Sequence, residues 1–331
     1  MSFHEIIAAD EGTRFEGYAT ELTALQRARS EKSGKLTRAL HVKQHLGAVG
    51  ELLVTAPEGA RFGVFENPGQ VWPLYARFSN GSSSHQSDKL PDVRGFALKL
   101  VGVPGNKIIS GLEHEQTQDF LMIDTPAIPF RDPEEFMTFV RAAKDGPARL
   151  LPRLFSGFGF ARTLSLLKRL SQTVKVVSYA THTFHTAAPI RFGDTAAKLA
   201  LFPLDNPEAP AASGADALRE DLTRRLAAGP LRWSLRAQRF VDDQSSPIED
   251  SSRIWAGPWV ELATLTLPNQ DVDSPRGKEI SQLVSEFSFD PWHALEAHRP
   301  LGAIMRARAV TYRESVLARK AAPEPKSVLG S

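Results

Sequence analysis

The chain has 331 residues, of which 42% are hydrophobic and 24% charged, the composition of a globular protein. Lys and Arg number 40 and Asp and Glu 38, and the resulting net charge of +2 gives no electrostatic reason to expect nucleic-acid binding. The absence of cysteine excludes disulfides, thiolate metal sites and cysteine nucleophiles. Because neither a signal peptide nor an apolar run of membrane-spanning length is visible, we expect a cytoplasmic protein.

After a polar segment of some helical character at residues 1–37, short runs of strand-forming residues follow one another. Turn clusters such as Asn67-Pro68-Gly69 separate these runs. Many short strands at this spacing are typical of an antiparallel barrel or sandwich. The predicted strands are residues 49–54, 61–66, 72–79, 95–103, 119–124, 176–184, 196–204, 233–241 and 259–267.

Helices are predicted between and after the strands. The run Asp132-Pro133-Glu134-Glu135 combines an N-cap, a first-turn proline and two acids that favour a helix N-terminus. Leucines four residues apart between 218 and 226 form an apolar stripe, and residues 291–320 read as helix interrupted at Pro300. The predicted fold class is therefore α+β, an antiparallel barrel or sandwich with inserted and C-terminal helices, and the family resemblance described below implies an antiparallel β-barrel.

Three polar residues fall along one face of the last predicted helix. Arg308, Tyr312 and Arg319 stand at positions i, i+4 and i+11, so the Arg308 guanidinium can reach the Tyr312 hydroxyl. A cation at that place favours the phenolate, and a phenolate is a hard anionic ligand suited to ferric iron. The same spacing is common on ordinary exposed helices. By itself it therefore leaves open whether Tyr312 is an iron ligand or an ordinary residue of an exposed helix.

A series of short motifs runs through the chain in a fixed order. They are Arg38-Ala-Leu-His41, Ala76-Arg77-Phe78-Ser79, Asp92-Val-Arg94-Gly95-Phe96-Ala-Leu-Lys99, Asp124-Thr125-Pro126, Phe130-Arg131-Asp132-Pro133-x-x-Phe136, Tyr179-Ala-Thr-His182-Thr-Phe184 and Arg308-x-x-x-Tyr312. This ordered set, from about residue 38 to residue 319, resembles the haem catalase family. The short chain is similar to the minimal, catalase-related peroxidase branch of that family.

The resemblance implies a cofactor and a role for each matching residue. The cofactor is non-covalent haem b, with ferric iron ligated by Tyr312 as a tyrosinate and Arg308 as the charge partner of that ligand. His41 is implied to be the distal acid–base residue, oriented by Ser79, and Phe136 is implied to stack on the macrocycle. The implied partners of the haem propionates are Arg38, Arg77 and Arg319.

The implied activity is that of a peroxidase with weak or altered catalase activity, working through a ferryl intermediate. Its substrates are hydrogen peroxide or an organic or lipid hydroperoxide, with an organic electron donor. Two alternatives stay open: a fatty-acid hydroperoxide isomerase or dehydratase on the same fold, and a non-catalytic haem- or lipid-binding protein.

One departure from the family bears on that choice. The family's distal Asn is replaced by Ile123 or Asp124, depending on an alignment shift of one residue. Ile123 would remove a hydrogen-bond donor, whereas Asp124 would supply a second acid–base group or repel a peroxide anion. Either replacement is expected to weaken the dismutation of hydrogen peroxide.

The sequence predicts four parts: an N-terminal arm (1–37), a catalase-like barrel domain (38–290), C-terminal helices carrying the proximal ligand (291–320) and a flexible tail (321–331). Segment 149–170 contains no acid and many large apolar residues. It is expected to be either a helical pair packed on the barrel, or a lid or membrane-surface contact that admits lipid hydroperoxides. We expect a monomer or homodimer and no nucleic-acid partner.

Overall fold

The computed structural model describes residues 3–34, 36–144, 147–171, 175–205 and 214–329. Within these residues, nine strands form one antiparallel sheet. The strands are β1 (Gln44–Val54), β2 (Val71–Asn80), β3 (Arg94–Val101), β4 (Thr117–Ile123), β5 (Phe184–His185), β6 (Ile190–Phe192), β7 (Thr195–Pro203), β8 (Leu231–Arg239) and β9 (Trp259–Leu267).

The sheet closes into a barrel of eight strands. Neighbours follow the order β5-β4-β3-β2-β1-β9-β8-β7, and β5 closes the ring by pairing with β4 at Ile123↔His185 and with β7 at Phe184↔Leu201. The ninth strand, β6, extends the sheet as a hairpin on β7. Closure removes the exposed edges that an open sheet would present. The predicted antiparallel β-barrel is confirmed.

Aromatic side chains fill the inside of the barrel. The Phe96 ring lies 4.3 Å from that of Phe78, 5.5 Å from that of Phe184 and 5.3 Å from that of Trp233, measured between ring centroids. Phe78, Phe96 and Met122 pair across β2, β3 and β4 and belong to this core. Because side chains alternate along a strand, the next residue on each of these strands points to the outer face.

Seven helices lie around the barrel in the described part of the chain. They are α1 (Glu11–Ser33), α2 (Pro133–Ala143), α3 (Pro147–Phe158), α4 (Phe160–Ser171), α5 (Ala217–Ala228), α6 (Pro275–Glu286) and α7 (Ala303–Arg319). The predicted cap of α2 forms, since the Asp132 carboxylate accepts a hydrogen bond from the Glu135 amide at 2.9 Å. Helices α1 and α7 pack together through Phe15, Tyr18 and Ala307. No helix of the described residues combines the length and hydropathy needed to span a bilayer.

Two predicted strands are wrong. Residues 61–66 form a 3-10 turn at Gly63–Phe65, because Gly63 takes a left-handed φ of 55° and turns the chain so that Phe65 packs inside the barrel. Residues 176–184 hold a 3-10 turn at Tyr179–Thr181, followed by the two-residue strand β5. In both places buried aromatic residues mimic the pattern of a strand.

The predicted C-terminal helix is too long at its start. Residues 291–302 form a loop with one 3-10 turn at Glu296–His298, and α7 begins only at Ala303, after Gly302 with a φ of 87°. Helix α6 was not predicted, although Ser274 caps its N-terminus and Pro275 occupies its first turn.

The C-terminal segment is packed against the barrel, which corrects the prediction of a flexible tail for residues 321–329. The buried Glu324 carboxylate lies 2.6 Å from the ammonium of Lys99, and the Leu329 amide donates to the Tyr75 hydroxyl at 2.9 Å. The Glu324 carboxylate also accepts hydrogen bonds from the Thr117 and Ser288 hydroxyls at 2.9 and 2.6 Å, so undocking the segment would break several buried polar contacts at once. Residues 330 and 331 lie outside the described residues. The predicted division of the chain into four parts otherwise stays a prediction.

Candidate active site

His41 precedes β1 and lies against the outer face of the barrel. Its Nδ1 is 3.1 Å from the Ser79 hydroxyl oxygen, and its backbone amide donates to the Gly81 carbonyl at 3.0 Å. Its φ of 56° is left-handed, a conformation that costs a non-glycine residue about 1–3 kcal/mol and persists only where the surroundings hold it. Burial, and after it the charges of nearby arginines, lower the pKa of the imidazole to about 3, so His41 is neutral near pH 7.

The imidazole packs directly on Gly95 of β3. A Cβ at this position would lie 2.8 Å from His41 Nδ1 and 2.9 Å from Ser79 Oγ. These separations are far below ordinary van der Waals contact, so only glycine leaves room for the ring. Sequence reasoning did not single out Gly95 as a site residue, although the motif containing it was recognised.

Strand register decides which residue continues this face. Ser79 pairs with Gly95, and Gly95 pairs with Ile123, so the three residues form one cross-strand row on the outer face. Asp124 lies one residue beyond the row. Its Oδ1 accepts a hydrogen bond from the Arg94 amide at 3.1 Å, and burial raises its pKa to about 6. Among the described residues, no hydrogen bond or ion pair joins Asp124 to His41. The register therefore places Ile123, and not Asp124, in the row with Ser79 and Gly95, while the Asp124 carboxylate contacts the Arg94 amide.

Three arginines from distant parts of the chain meet beside His41. Arg77, on β2, is buried and donates to the His41 carbonyl at 2.8 Å. Arg38 and Arg319 both donate to the carbonyl of Phe287 at 2.6 Å, so an early and a late segment of the chain bind the same backbone oxygen.

These arginines have no carboxylate partner within the described ranges of the chain. Burial, together with the charges of Arg77 and Arg319, brings the pKa of Arg38 well below its usual range. Burial and the charge of Arg319 lower the pKa of Arg77 to about 10, and burial lowers that of Arg319 to about 10. Three cations held together without an anion are unfavourable, so the cluster is suited to a ligand that carries negative charge.

The last helix brings Arg308 and Tyr312 to the same region. The Arg308 guanidinium donates to the Tyr312 hydroxyl at 2.7 Å, and its carbon lies 4.7 Å from the centre of the tyrosine ring. The charge of Arg308 contributes to the lowered pKa of His41, and Tyr312 partly offsets the lowering of the pKa of Arg38 and Arg77. The motifs at the two ends of the chain therefore converge on one place.

Phe136 lies at the margin of this region. It is half-buried on α2, its ring is 5.6 Å from that of Phe130, and it packs with a cluster that contains Met137 and Ala307 of α7. These are contacts of an ordinary core residue, and the stacking of Phe136 on a macrocycle stays a prediction.

Comparisons with known proteins agree with this geometry. The family model described as Catalase matches residues 25–180. A catalase-related peroxidase of Mycolicibacterium paratuberculosis is 28% identical over 263 residues, which cover 75% of this chain and 78% of that protein. A catalase of Staphylococcus epidermidis is 33% identical over 113 residues, which cover 33% of this chain and 20% of that protein.

Solved catalase structures share the fold. A fungal catalase superimposes with a TM-score of 0.67 at 18% identity, covering 88% of this chain and 61% of that one. Catalase A from Saccharomyces cerevisiae gives a TM-score of 0.68 at 15% identity, covering 89% of this chain and 63% of that one. The chain thus spans about three fifths of the length of these structures.

The barrel, its helices and the residues around His41 and Tyr312 define a protein of the catalase fold. Its similarity to a catalase-related peroxidase over three quarters of its length, together with the Catalase family model over residues 25–180, supports an oxidoreductase.

The catalases that the chain resembles imply haem, and the residues present fit such a group. Three arginines for which the described residues provide no carboxylate partner match its two propionates, and the Arg308–Tyr312 pair matches an anionic oxygen ligand for iron. Gly95 leaves room for the imidazole of His41 against the strand.

Proposed function

We propose that this protein is a haem-dependent peroxidase that reacts with hydroperoxides and retains only weak or altered catalase activity. The observation that carries the proposal is the convergence of two residue pairs on one cluster of arginines, which has no carboxylate partner in the described part of the chain. The pairs are His41 with Ser79 and Arg308 with Tyr312.

In this proposal, Tyr312 holds ferric haem b without a covalent bond to the porphyrin, as a tyrosinate ligand of the iron. The haem supplies the two-electron redox chemistry that cleaves the oxygen–oxygen bond of a hydroperoxide. Arg308 stabilises the negative charge on the Tyr312 oxygen through its hydrogen bond of 2.7 Å. The propionates are bound by Arg38, Arg77 and Arg319.

His41 moves the proton. With its Nδ1–H donated to the Ser79 hydroxyl, the other ring nitrogen, Nε2, carries the lone pair and acts as the base. It takes the proton from the hydroperoxide and returns it to the departing oxygen, so that neutral water or alcohol leaves. The low pKa of His41 supports this role because the ring is unprotonated before the substrate arrives.

The test begins with the absorption spectrum of the purified, haem-reconstituted protein. High-spin ferric haem with tyrosinate ligation, and oxidation of an organic donor by a hydroperoxide, are the expected results. We expect His41→Ala to retain haem and lose at least a hundredfold in the hydroperoxide reaction, and Tyr312→Phe to lose haem or its axial charge. A protein that takes up no haem, or a fully active His41→Ala variant, would overturn the proposal.

A specific observation favours a second candidate, the fatty-acid hydroperoxide isomerase or dehydratase. The half-buried Ile123 extends the row that holds Ser79 and Gly95, and it offers apolar contact rather than a hydrogen bond. Product analysis separates the candidates: a rearranged fatty product formed without an electron donor identifies the isomerase, and alcohol formed with oxidised donor identifies the peroxidase.

The helical pair α3–α4 is proposed as a peripheral membrane contact. Its inner side packs on α2, where the Arg162 guanidinium donates to the Glu135 carboxylate at 2.9 Å. Its outer side exposes 70% of Phe160, together with Leu151 and Leu164. No acidic residue occurs from 147 to 171, whereas five are basic, which suits a surface of anionic lipid. Three further points stay predictions: the use of an organic electron donor, the oligomeric state (monomer or homodimer) and the cytoplasmic location.

A further inference from the structure

The wall next to His41 is formed by the cross-strand row of Ser79, Gly95 and Ile123. Gly95 contacts the imidazole, and Ile123 lies opposite Gly95 on the neighbouring strand. Residues directly opposite each other in antiparallel strands have their Cβ atoms, or the equivalent positions, about 5 Å apart. The side chain of Ile123 is therefore one strand away from the catalytic base, and it is half-buried.

The Ile123 side chain offers no hydrogen-bond donor to a substrate. Its other strand neighbour, His185 of β5, carries a buried Nδ1 without a hydrogen-bond partner among the described residues, but it lies on the side of Ile123 away from Gly95. The Ser79 hydroxyl is in hydrogen-bond contact with His41. The Thr125 hydroxyl, two residues further on, donates to the Ala127 carbonyl at 3.1 Å. The Asp124 carboxylate is turned to the Arg94 amide. The Ile123 side chain itself therefore presents only hydrocarbon to a ligand.

Hydrogen peroxide and organic hydroperoxides respond differently to such a wall. Hydrogen peroxide is polar at both ends, so placing one oxygen against Ile123 removes hydrogen bonds with water and replaces none of them. An organic hydroperoxide turns its polar end to His41 and its carbon group to Ile123, where burial of apolar surface is favourable. The wall should therefore discriminate by polarity rather than by size alone.

We propose that Ile123 is a specificity-determining residue that makes the site select hydroperoxides carrying an apolar group over hydrogen peroxide. This inference rests on the proposed function. In the reaction, ROOH accepts two electrons and two protons, its oxygen–oxygen bond breaks, and ROH and water form. Two molecules of a phenolic donor each supply one electron and one proton and become phenoxyl radicals.

The test compares kcat/KM for cumene hydroperoxide with kcat/KM for hydrogen peroxide, using the haem-loaded enzyme and guaiacol as the donor. Ile123→Asn introduces an amide donor at the wall and is expected to shift the ratio at least tenfold toward hydrogen peroxide. Ile123→Val keeps the wall apolar and is expected to change the ratio less than threefold. The Soret absorption of each variant establishes that haem is bound equally.

An unchanged ratio in Ile123→Asn with full haem content overturns the inference while the proposed function stands. A shift in Asp124→Asn without one in Ile123→Asn assigns the position to residue 124 and also overturns it. A wild-type enzyme that binds haem and reacts with neither hydroperoxide overturns the proposed function, and the inference falls with it.

Discussion

The contact between Gly95 and His41 provides the sharpest test of the site. Replacing Gly95 by alanine adds one carbon 2.8 Å from His41 Nδ1, 2.9 Å from His41 Cε1 and 2.9 Å from Ser79 Oγ. Favourable contacts between such atoms lie at about 3.5–4.0 Å, so something must move by more than half an ångström. The backbone of Gly95 is not left-handed, so alanine brings overpacking without backbone strain.

Overpacking of this kind costs about 1–3 kcal/mol. The imidazole is the part that can move, because Gly95 and Ser79 are held in the barrel by their strands. If displacement of the ring transfers that cost to the reaction barrier, the rate falls about 5- to 150-fold. We therefore expect Gly95→Ala to lose between one and two orders of magnitude in the reaction with hydroperoxide, at unchanged haem content.

The assay is a stopped-flow measurement of the Soret change after mixing with cumene hydroperoxide, with haem content measured on the same samples. Gly17→Ala is the matched control, because Gly17 lies in α1 with no heavy atom within 4 Å of the added carbon. It is expected to react at the wild-type rate and to be more stable by up to about 1 kcal/mol, since alanine favours a helix. Wild-type reactivity in a folded, haem-loaded Gly95→Ala variant would refute the packing of His41 on β3.

Four further outcomes are expected. Glu324→Ala removes the 2.6 Å ion pair to Lys99 and should cost about 2–4 kcal/mol of unfolding free energy in urea, whereas an unchanged midpoint would mean that residues 321–329 do not stabilise the barrel. Because the lowered pKa keeps His41 unprotonated, the rate of the hydroperoxide reaction should not fall around pH 6.5, and a midpoint between pH 6 and 7 would contradict that. The same pKa shift should lower the unfolding free energy as the pH falls below 6.5, since the unfolded chain then binds a proton that the folded chain does not. Arg319→Met should weaken haem binding about 10- to 100-fold in a titration without destabilising the haem-free protein, and equal affinity would remove Arg319 from the propionate site. Wild-type protein should sediment with anionic vesicles and Phe160→Asp should not; no sedimentation of the wild type ends the membrane proposal.

Local patterns in the sequence correctly predict those elements whose secondary structure is not altered by tertiary packing. Strand 259–267 coincides with β9 because apolar and polar residues alternate along it, and α2 begins where its cap and proline predict. The same patterns fail at Gly63, where one left-handed glycine turns a strand-like run into the barrel core. They miss α6, although Ser274 caps its N-terminus. The apolar residues of α6, such as Val284, pack against β1, and this packing partner cannot be seen in the sequence.

For this chain, the sequence alone determined the antiparallel strands and the pairing of Arg308 with Tyr312, since these depend on alternation and helical period, whereas the choice of a barrel over a sandwich followed from the resemblance carried by the ordered motifs. Tertiary structure decided that the tail docks, because Glu324 meets Lys99 across 225 residues of sequence. It also placed Ile123, rather than Asp124, in the row with Ser79 and Gly95. A shift of one residue reverses the face on which a strand's side chains lie, and only the pairing with Gly95 fixes that register.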